Sequence, residues 1–393
     1  MTATRTETGL AARDDRAAST AIDRAPSRPL APEARFARDV FCIAGLPFDA
    51  VTLAQTVQRL RVAAETRTRC FLSTPNLDFA VGAATDAAFR NSVLNSDLSV
   101  IDGAPLVWIA RALGLPIRER VAGASLFEAL RAHPGAPLRV YFFGGPPGAA
   151  EAACHRLQTT RTGLQAVGFD AAGFGSVEEM SSVERIARIN ASGADFVVVS
   201  LGAKKGQAWI ERNAAALDAP LLCHLGAVVN FVAGTVARAP DAWQGLGLEW
   251  LWRIKEEPTL WRRYAHDGRV LAGWLVTRVL PMAWALRRAR SEGASAVCAI
   301  DRSVPRTLRI GLAGAWTRTE LGPLRAAFAE AAAAGLRIEL DLHRAEHVDA
   351  AFIGLLLLAR GSFGPERLRL DGAAPTVRRA LRRHGAGFLV GES

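Results

Sequence analysis

The sequence predicts an α/β protein: a Rossmann-like domain on a parallel sheet, followed by a small second α/β domain. Three observations predict it. Between residues 38 and 248, short apolar runs alternate with helical stretches, the pattern of βαβ units. Most of these runs end on glycine or polar residues, as parallel strands do where their carboxyl ends open onto a ligand crevice. After residue 306 a shorter alternation of strands and helices begins, with no internal repeat joining it to the first.

The elements follow in order. Residues 1–37 mix Arg, Asp, Ala and Pro around no apolar segment, so they are expected to form a disordered tail and not a secretory signal. Asp49 precedes the periodic Val51, Leu53, Val57 and Leu60, as an N-cap and first helix would. RCFLS then runs into Thr74-Pro75-Asn76, and DLSVI into Asp102-Gly103. LRVYFF opens onto Gly144-Gly145-Pro146-Pro147-Gly148, DFVVVSL onto Gly202, and PLLCHL onto Gly226. Five strand ends dressed this way are expected to share one site.

Residues 249–290 differ in character, with five of the nine tryptophans and nine basic residues against four acidic ones. Arg278 and Pro281 interrupt the longest apolar run, which argues against a spanning helix. Trp, Leu and Arg at helical spacing suit a segment lying in a membrane interface; a helical pair packed on the sheet domain is the competing reading. Residues 291–306 resemble a linker. Beyond it come the strand TLRIGLAG, the helix LGPLRAAFAEAAAAG, the strand LRIELDLH, then AAFIGLLLLARG, RLRLDG and the helix PTVRRALRRHG.

Composition excludes several classes. The net charge of +10 is almost all arginine, since only three lysines occur, and no nucleic-acid module accompanies it. Five cysteines without paired spacing argue for reduced thiols in the cytoplasm rather than disulfides or zinc. No G-x-G-x-x-G, P-loop or G-x-S-x-G motif occurs, and no metal-ligand spacing. Neither a metal nor an organic cofactor is expected.

Asp102 is the best candidate base, because a carboxylate at a strand end faces the crevice and can take a proton from an attacking hydroxyl. An Asx turn or helix cap is the plain structural alternative. Thr74 and Asn76 could hold a substrate or cap the next helix. Gly144 and Gly145 bring backbone N–H groups toward an anion with a helix N-terminus behind them. Lys204, Lys205 and Gln207 follow Gly202, where a cation could meet a diphosphate. His224 sits in an apolar strand as a core histidine. Arg238 of Arg238-Ala239-Pro240 could present a guanidinium to the same mouth.

Taken together, these pieces resemble the WecG/TagA/CpsF family of glycosyltransferases from about Val40 to Tyr264. The carriers are Thr74-x-Asn76, Asp102-Gly103, Arg120-Val-Ala-Gly123, Phe143-Gly144-Gly145, Leu201-Gly202 with Lys205 and Trp209-Ile210, Gly226-Ala227, and Gly234 through Pro240. Glu249-Trp250-Leu251, Arg253, Glu257-Pro258 and Arg262-Arg263-Tyr264 complete the set. The resemblance implies metal-independent, inverting transfer from a UDP-sugar to a polyprenyl-diphosphate-linked sugar in cell-surface glycan or exopolysaccharide synthesis. It assigns Asp102 as general base, Thr74 and Asn76 to the acceptor and sugar pocket, and Arg120, Arg253, Arg262 and Arg263 to diphosphate. It also implies a cytoplasmic enzyme held peripherally on the inner face of the membrane. The family's Pro-Lys-Gln-Glu is Lys204-Lys205-Gly206-Gln207 here, and Asn230 and Ser125 stand where acidic residues are common.

Residues 307–393 resemble a STAS domain, with Leu340-Asp341-Leu342 and Val348-Asp349-Ala350 as landmarks. Where regulated members carry a phosphorylated Ser or Thr, this chain has Ala350 and Ala351, so a phosphate switch there cannot operate. The domain is expected to bind a protein partner or to stabilise an assembly such as a homo-oligomer. A non-catalytic sugar-nucleotide-binding protein, or a STAS-mediated regulator at the membrane, is the competing functional reading.

Overall fold

The computed structural model describes residues 25–159, 163–171, 173, 175–240, 243, 247–288 and 294–391. The first 24 residues of the expected tail, residues 289 and 290 of the Trp-rich segment, and residues 291–293 of the expected linker lie outside the described residues.

The chain enters through a short helix, α1 (Pro32–Phe36), and a hairpin, β1 (Val40–Ile43) and β2 (Leu46–Asp49), with Ile43 opposite Leu46. That register leaves a two-residue turn, Ala44-Gly45, both at positive φ, the form that fits the twist of a tight hairpin. Six parallel strands follow: β3 (Cys70–Ser73), β4 (Leu98–Ser99), β5 (Leu138–Gly144), β6 (Leu164–Asp170), β7 (Phe196–Ser200) and β8 (Leu221–His224), in the spatial order β4-β3-β8-β7-β5-β6. Helices α2 (Leu53–Glu65), α3 (Leu77–Thr85), α4 (Ala87–Leu94), α5 (Ala104–Ala112), α6 (Gly123–Ala132), α7 (Ala149–Gln158), α8 (Val183–Ala191), α9 (Ala203–Asn213) and α10 (Val228–Ala233) make the connections. Apolar runs buried on both faces are what a covered parallel sheet demands, and β7 (FVVVS) is buried at every position.

Two features of this domain depart from the sequence reading. Asp49 caps no helix; it closes β2 in a buried bidentate pair with Arg38, and Thr52 caps α2 instead. Strand β6 alternates buried and exposed positions at the sheet edge, so it lacks the continuous apolar run that marked the other strands.

Helix α11 (Glu249–Glu256) buries no residue. Beyond Pro258 a single helical stretch runs on as α12 (Trp261–Trp274), a π turn (Leu275–Val279) and α13 (Leu280–Arg288). Arg278 and Pro281 therefore do not interrupt it, because the wider turn just before the proline absorbs the missing N–H. By length and composition Pro258–Arg287 could cross a membrane. One side nevertheless packs on protein, where Trp274 and Val279 share a core with Ile43, Ile109 and Leu113.

The second domain is a four-stranded sheet in the order β12-β11-β10-β9: β9 (Val297–Asp301), β10 (Thr307–Trp316), β11 (Arg337–Val348) and β12 (Leu368–Asp371). β9 is antiparallel to β10 and the others are parallel. The expected linker thus contains a strand, hidden from composition because an edge strand alternates exposed and half-buried residues. Helices α14 (Gly322–Ala333), α15 (Ala350–Arg367, broken at Gly364) and α16 (Pro375–Arg383) cover the sheet.

The two sheets share a core. Helix α15 is apolar on every side, and such a helix must be covered all round. Its sheet covers one side and the β1–β2 hairpin another, and Phe41, Ile43 and Phe48 lie in one cluster with Leu355 and Leu358. Phe36, expected in a tail, is fully buried against Phe328 and Phe363, so the ordered chain begins well before residue 38. A lone phenylalanine in a polar stretch carries too little periodicity to announce this. The Arg325 guanidinium donates to the carbonyls of Phe36 and Arg38, and Arg318 pairs with Asp39 at 2.6 Å. At the hairpin tip Gly45 N–H donates to the His384 carbonyl at 2.7 Å, where Gly45 and Gly385 bring two backbones together.

Gly354 of α15 faces the hairpin so closely that a Cβ would stand 2.6 Å from the Val40 carbonyl oxygen. Overpacking of this kind costs about 1–3 kcal/mol. Gly354→Ala is expected to lower Tm by several degrees, and calorimetry is expected to resolve a single transition because both domains share the disturbed core. Two separate transitions would contradict a shared core.

Candidate active site

The site is built where β3 and β4 end. Pairing stops at Ser73 and Ser99, but Asp102 N–H still donates to the Pro75 carbonyl at 3.1 Å, so the two following segments stay side by side. Val121 N–H donates to the Ile101 carbonyl at 2.8 Å and brings in residues 120–123. Gly123, first residue of α6, donates its N–H to Asp102 Oδ2 at 3.2 Å. A Cβ on Gly123 would stand 2.6 Å from Leu225 Cδ2, 3.7 Å from Asp102 Oδ2 and 3.8 Å from Thr74 Oγ1, so the two oxygens lie beside the same backbone position, next to the apolar Leu225. Gly103 packs against Asn76, whose Oδ1 accepts from Phe79 N–H at 3.1 Å as the cap of α3.

Burial pushes the Asp102 carboxyl up to about 7, and the negative charge of Glu249 adds to the rise. The Gly123 N–H, Arg120 and Arg253 pull the other way. A carboxylate poised near neutrality is what a general base needs. Around it, Arg120 Nη1 lies 2.8 Å from Glu249 Oε2, and Arg238 Nε lies 3.9 Å from Glu249 Oε1. Arg238 Nη2 donates to Ser125 Oγ at 2.7 Å. Ser125 thus orients an arginine where an acidic residue would have paired with it.

A second group lies along the same sheet edge. β5 connects outward to β6 while its neighbour β7 connects the other way to β8, which makes the gap between their ends a topological switch point. Gly144 and Gly145 sit there at φ +85° and +98°, against Leu201 and Ser200, with the ten-residue helix α7 behind them. Four strand intervals separate the ends of β5 and β4, about 19 Å at ordinary strand spacing.

Other predicted residues fall elsewhere. Gln207 is fully buried and donates Nε2 to Ser73 Oγ at 2.8 Å, so it holds β3 from within and does not reach the mouth. Local spacing after Gly202 could not reveal this, since residue 207 is already a turn into α9 and faces the sheet. Lys205 donates Nζ to the Gly175 carbonyl at 3.0 Å, and Lys204 pairs with Asp86 at 3.1 Å. Gly202 is the N-cap of α9. Arg263 approaches Asp78 at the start of α3 at 4.0 Å, while Arg262 lies 5.7 Å over the Trp261 ring. His224 is buried and hydrogen-bonded to the Leu201 carbonyl, and burial lowers its pKa below the ordinary imidazole value. Sequence reasoning missed Glu249, Gly123 and Ser125 as site groups; Glu249 and Gly123 stood in the quoted motifs without a role. Among the described residues, no cluster of His, Cys, Asp or Glu is arranged to hold a metal ion.

A carboxyl raised into the neutral range, with Arg120 and Arg253 close enough to act on its charge, on the carboxyl edge of a parallel sheet, suits an enzyme of glycosyl transfer. Residues 41–285, which include all of these groups, match the glycosyl transferase WecG/TagA/CpsF family, and the chain belongs to that family. Residues 300–391 match the Mlab-type STAS domain. A relative from Bacillus spizizenii, an N-acetylglucosaminyldiphosphoundecaprenol N-acetyl-beta-D-mannosaminyltransferase, is 26% identical over 194 residues, covering 49% of this chain and 74% of that protein.

Only ionised Asp102 accepts a proton, so kcat/KM is expected to fall as pH drops through about 7. Because burial disfavours the charged form, the folded state loses stability as pH rises from the ordinary carboxylate range through that value. Asp102→Asn is therefore expected to melt no lower than the parent at pH 8. A flat pH profile, or a collapsed variant, would contradict this account of the carboxyl.

Proposed function

We propose that the enzyme transfers a sugar, an N-acetylhexosamine by analogy with the relative, from a UDP-sugar to a hydroxyl of a polyprenyl-diphosphate-linked sugar. The observation that carries the reading is that Asp102 Oδ2 and Thr74 Oγ1 both lie beside Gly123, with Arg120 and Arg253 near enough to act on the Asp102 charge and Arg238 joined to Arg120 through Glu249. In the proposed step, Asp102 takes the acceptor proton as the hydroxyl oxygen bonds to the anomeric carbon. The bond from that carbon to UDP breaks on the opposite face, giving inversion. Charge builds on the departing diphosphate, and nearby arginines stabilise it most at that moment. The glycine turn at the β5–β7 switch point suits the nucleotide end of the donor, with the sugar reaching along the sheet edge to Thr74 and Asn76.

The acceptor's lipid sets the location. On Pro258–Arg287, Val276 (65% exposed), Leu280, Trp284 and Leu286 face outward, opposite the side that packs on Ile109 and Leu113. Such a face, with Arg269 and Arg287 beside it, suits the interface of an anionic leaflet. In this reading the helix lies on the inner surface of the cytoplasmic membrane and brings α11 to the lipid-borne substrate.

Incubation with UDP-N-acetylhexosamines and a lipid-diphosphate acceptor tests the chemistry. UDP release is expected to fall about 10²–10⁴-fold in Asp102→Asn; undiminished release would remove Asp102 from the role. The double variant Val276→Glu/Leu280→Glu is expected to stop co-sedimentation with anionic liposomes, and unchanged sedimentation would reject the interfacial helix.

A further inference from the structure

Glu249 is a carboxylate held between two guanidiniums. Arg120 reaches one oxygen at 2.8 Å and Arg238 approaches the other at 3.9 Å, and all three side chains are less than a quarter exposed. This ion triad sits close enough to Asp102 for Arg120 and Glu249 both to influence its charge. Two details mark the arrangement as only half complete. Among the described residues, the buried Arg238 Nε has no hydrogen-bond partner, since 3.9 Å is too long for one. Arg238 is aimed by Ser125 Oγ, a contact that does not require Glu249. A single carboxylate leaves donors over that a diphosphate, with more oxygens and more charge, would satisfy.

The carboxylate is also tethered to something that can move. Glu249 opens α11, which buries none of its residues. Besides the triad, the described residues hold α11 by Trp252 Nε1 donating to the Ala237 carbonyl at 3.2 Å, by Trp252 meeting the Trp243 ring edge-on and by Trp250 packing on the Tyr264 ring at 6.0 Å. Few buried apolar contacts make a segment easy to open locally. The same helix carries Arg253 toward Asp102 and exposes Trp250 and Leu251.

We infer that Glu249 is an internal stand-in for the substrate's diphosphate: it holds Arg120 and Arg238 in place until a diphosphate takes them, and its displacement unlatches α11. This rests on the donor reading above and adds to it a positioning residue that couples diphosphate binding to the segment leading to the membrane helix. No bond is made or broken in the exchange; one anion replaces another on the same two cations.

Glu249→Gln keeps the shape and removes the charge. Full-length parent and variant are titrated by calorimetry with UDP and, separately, with inorganic pyrophosphate. Removing a competing anion is expected to tighten both by about tenfold, within the range of close interfacial charge pairs. KM for the donor is expected to fall with kcat changed far less, and the acid limb of kcat/KM to move to lower pH, because the charge that raises the Asp102 carboxyl is gone. Glu249→Asp, which keeps the charge, is expected to bind UDP as weakly as the parent. A thermal melt checks that each variant is folded.

Equal or weaker binding of UDP and pyrophosphate by folded Glu249→Gln overturns the inference and leaves Glu249 as a fixed strut for the arginines. If the parent binds pyrophosphate but not UDP, the donor reading fails while the anion exchange stands or falls on the pyrophosphate comparison. If the parent binds neither, both fail.

Discussion

Val40–Asp49 is a hairpin with every strand residue buried, and a two-stranded hairpin is stable only when other elements pack on it. One face and the tip belong to the STAS domain, through α15, His384 and Gly385. Its far end belongs to the transferase sheet, because Asp49 pairs with Arg38 and also accepts the Ser99 N–H of β4 at 2.8 Å. The strand whose end carries Asp102 is thus anchored to the element that the second domain clamps. Separating the domains would expose α15 and the hairpin together, so they are two folds with one core.

The same sheet edge shows how environment assigns roles to like residues. Asp49 has a bidentate arginine and a backbone N–H, and Asp97 has Arg35 at 3.1 Å and the Phe71 N–H. Both are committed to structure. Burial lifts the Asp97 carboxyl as well, although Arg35 and the Phe71 N–H hold it in place; among the described residues Asp102 has the Gly123 N–H as its one hydrogen-bond partner, and burial raises its carboxyl to about 7. A bidentate arginine would favour the ionised form and pull that value down. Here the arginines are engaged by Glu249 instead, which keeps them close without spending them on Asp102.

The STAS domain gains a definite meaning from its packing. Ala350 and Ala351 open α15 where a phosphorylated residue stands in regulated members, and both are buried. Asp349 is occupied in capping, accepting from Phe352 N–H at 2.8 Å and Arg318 N–H at 2.9 Å. Arg318 in turn pairs with Asp39 of the transferase domain. The end of the helix that would serve as a switch is wired into the contact between the domains. The 258–288 helix leans on the same junction, beside His384 and Ile43.

Much of this could be read from sequence because it is local. Apolar runs ending in Thr74-Pro75-Asn76, Asp102-Gly103 and Gly144-Gly145 specify strands and the turns that follow them, since strand burial and turn conformation depend on neighbouring residues. The missing hydroxyls at Ala350 and Ala351 were equally legible. Tertiary structure decided what depends on partners far away in the chain: strand order, β9 within the apparent linker, the burial of Phe36, and Gln207 turned inward to Ser73. It also decided that Glu249 meets Arg120 and Arg238 above Asp102. Nothing in the local pattern of Glu249 distinguishes it from a solvated helix start, because the energy of an ion pair depends on distance and burial, which only the completed fold supplies.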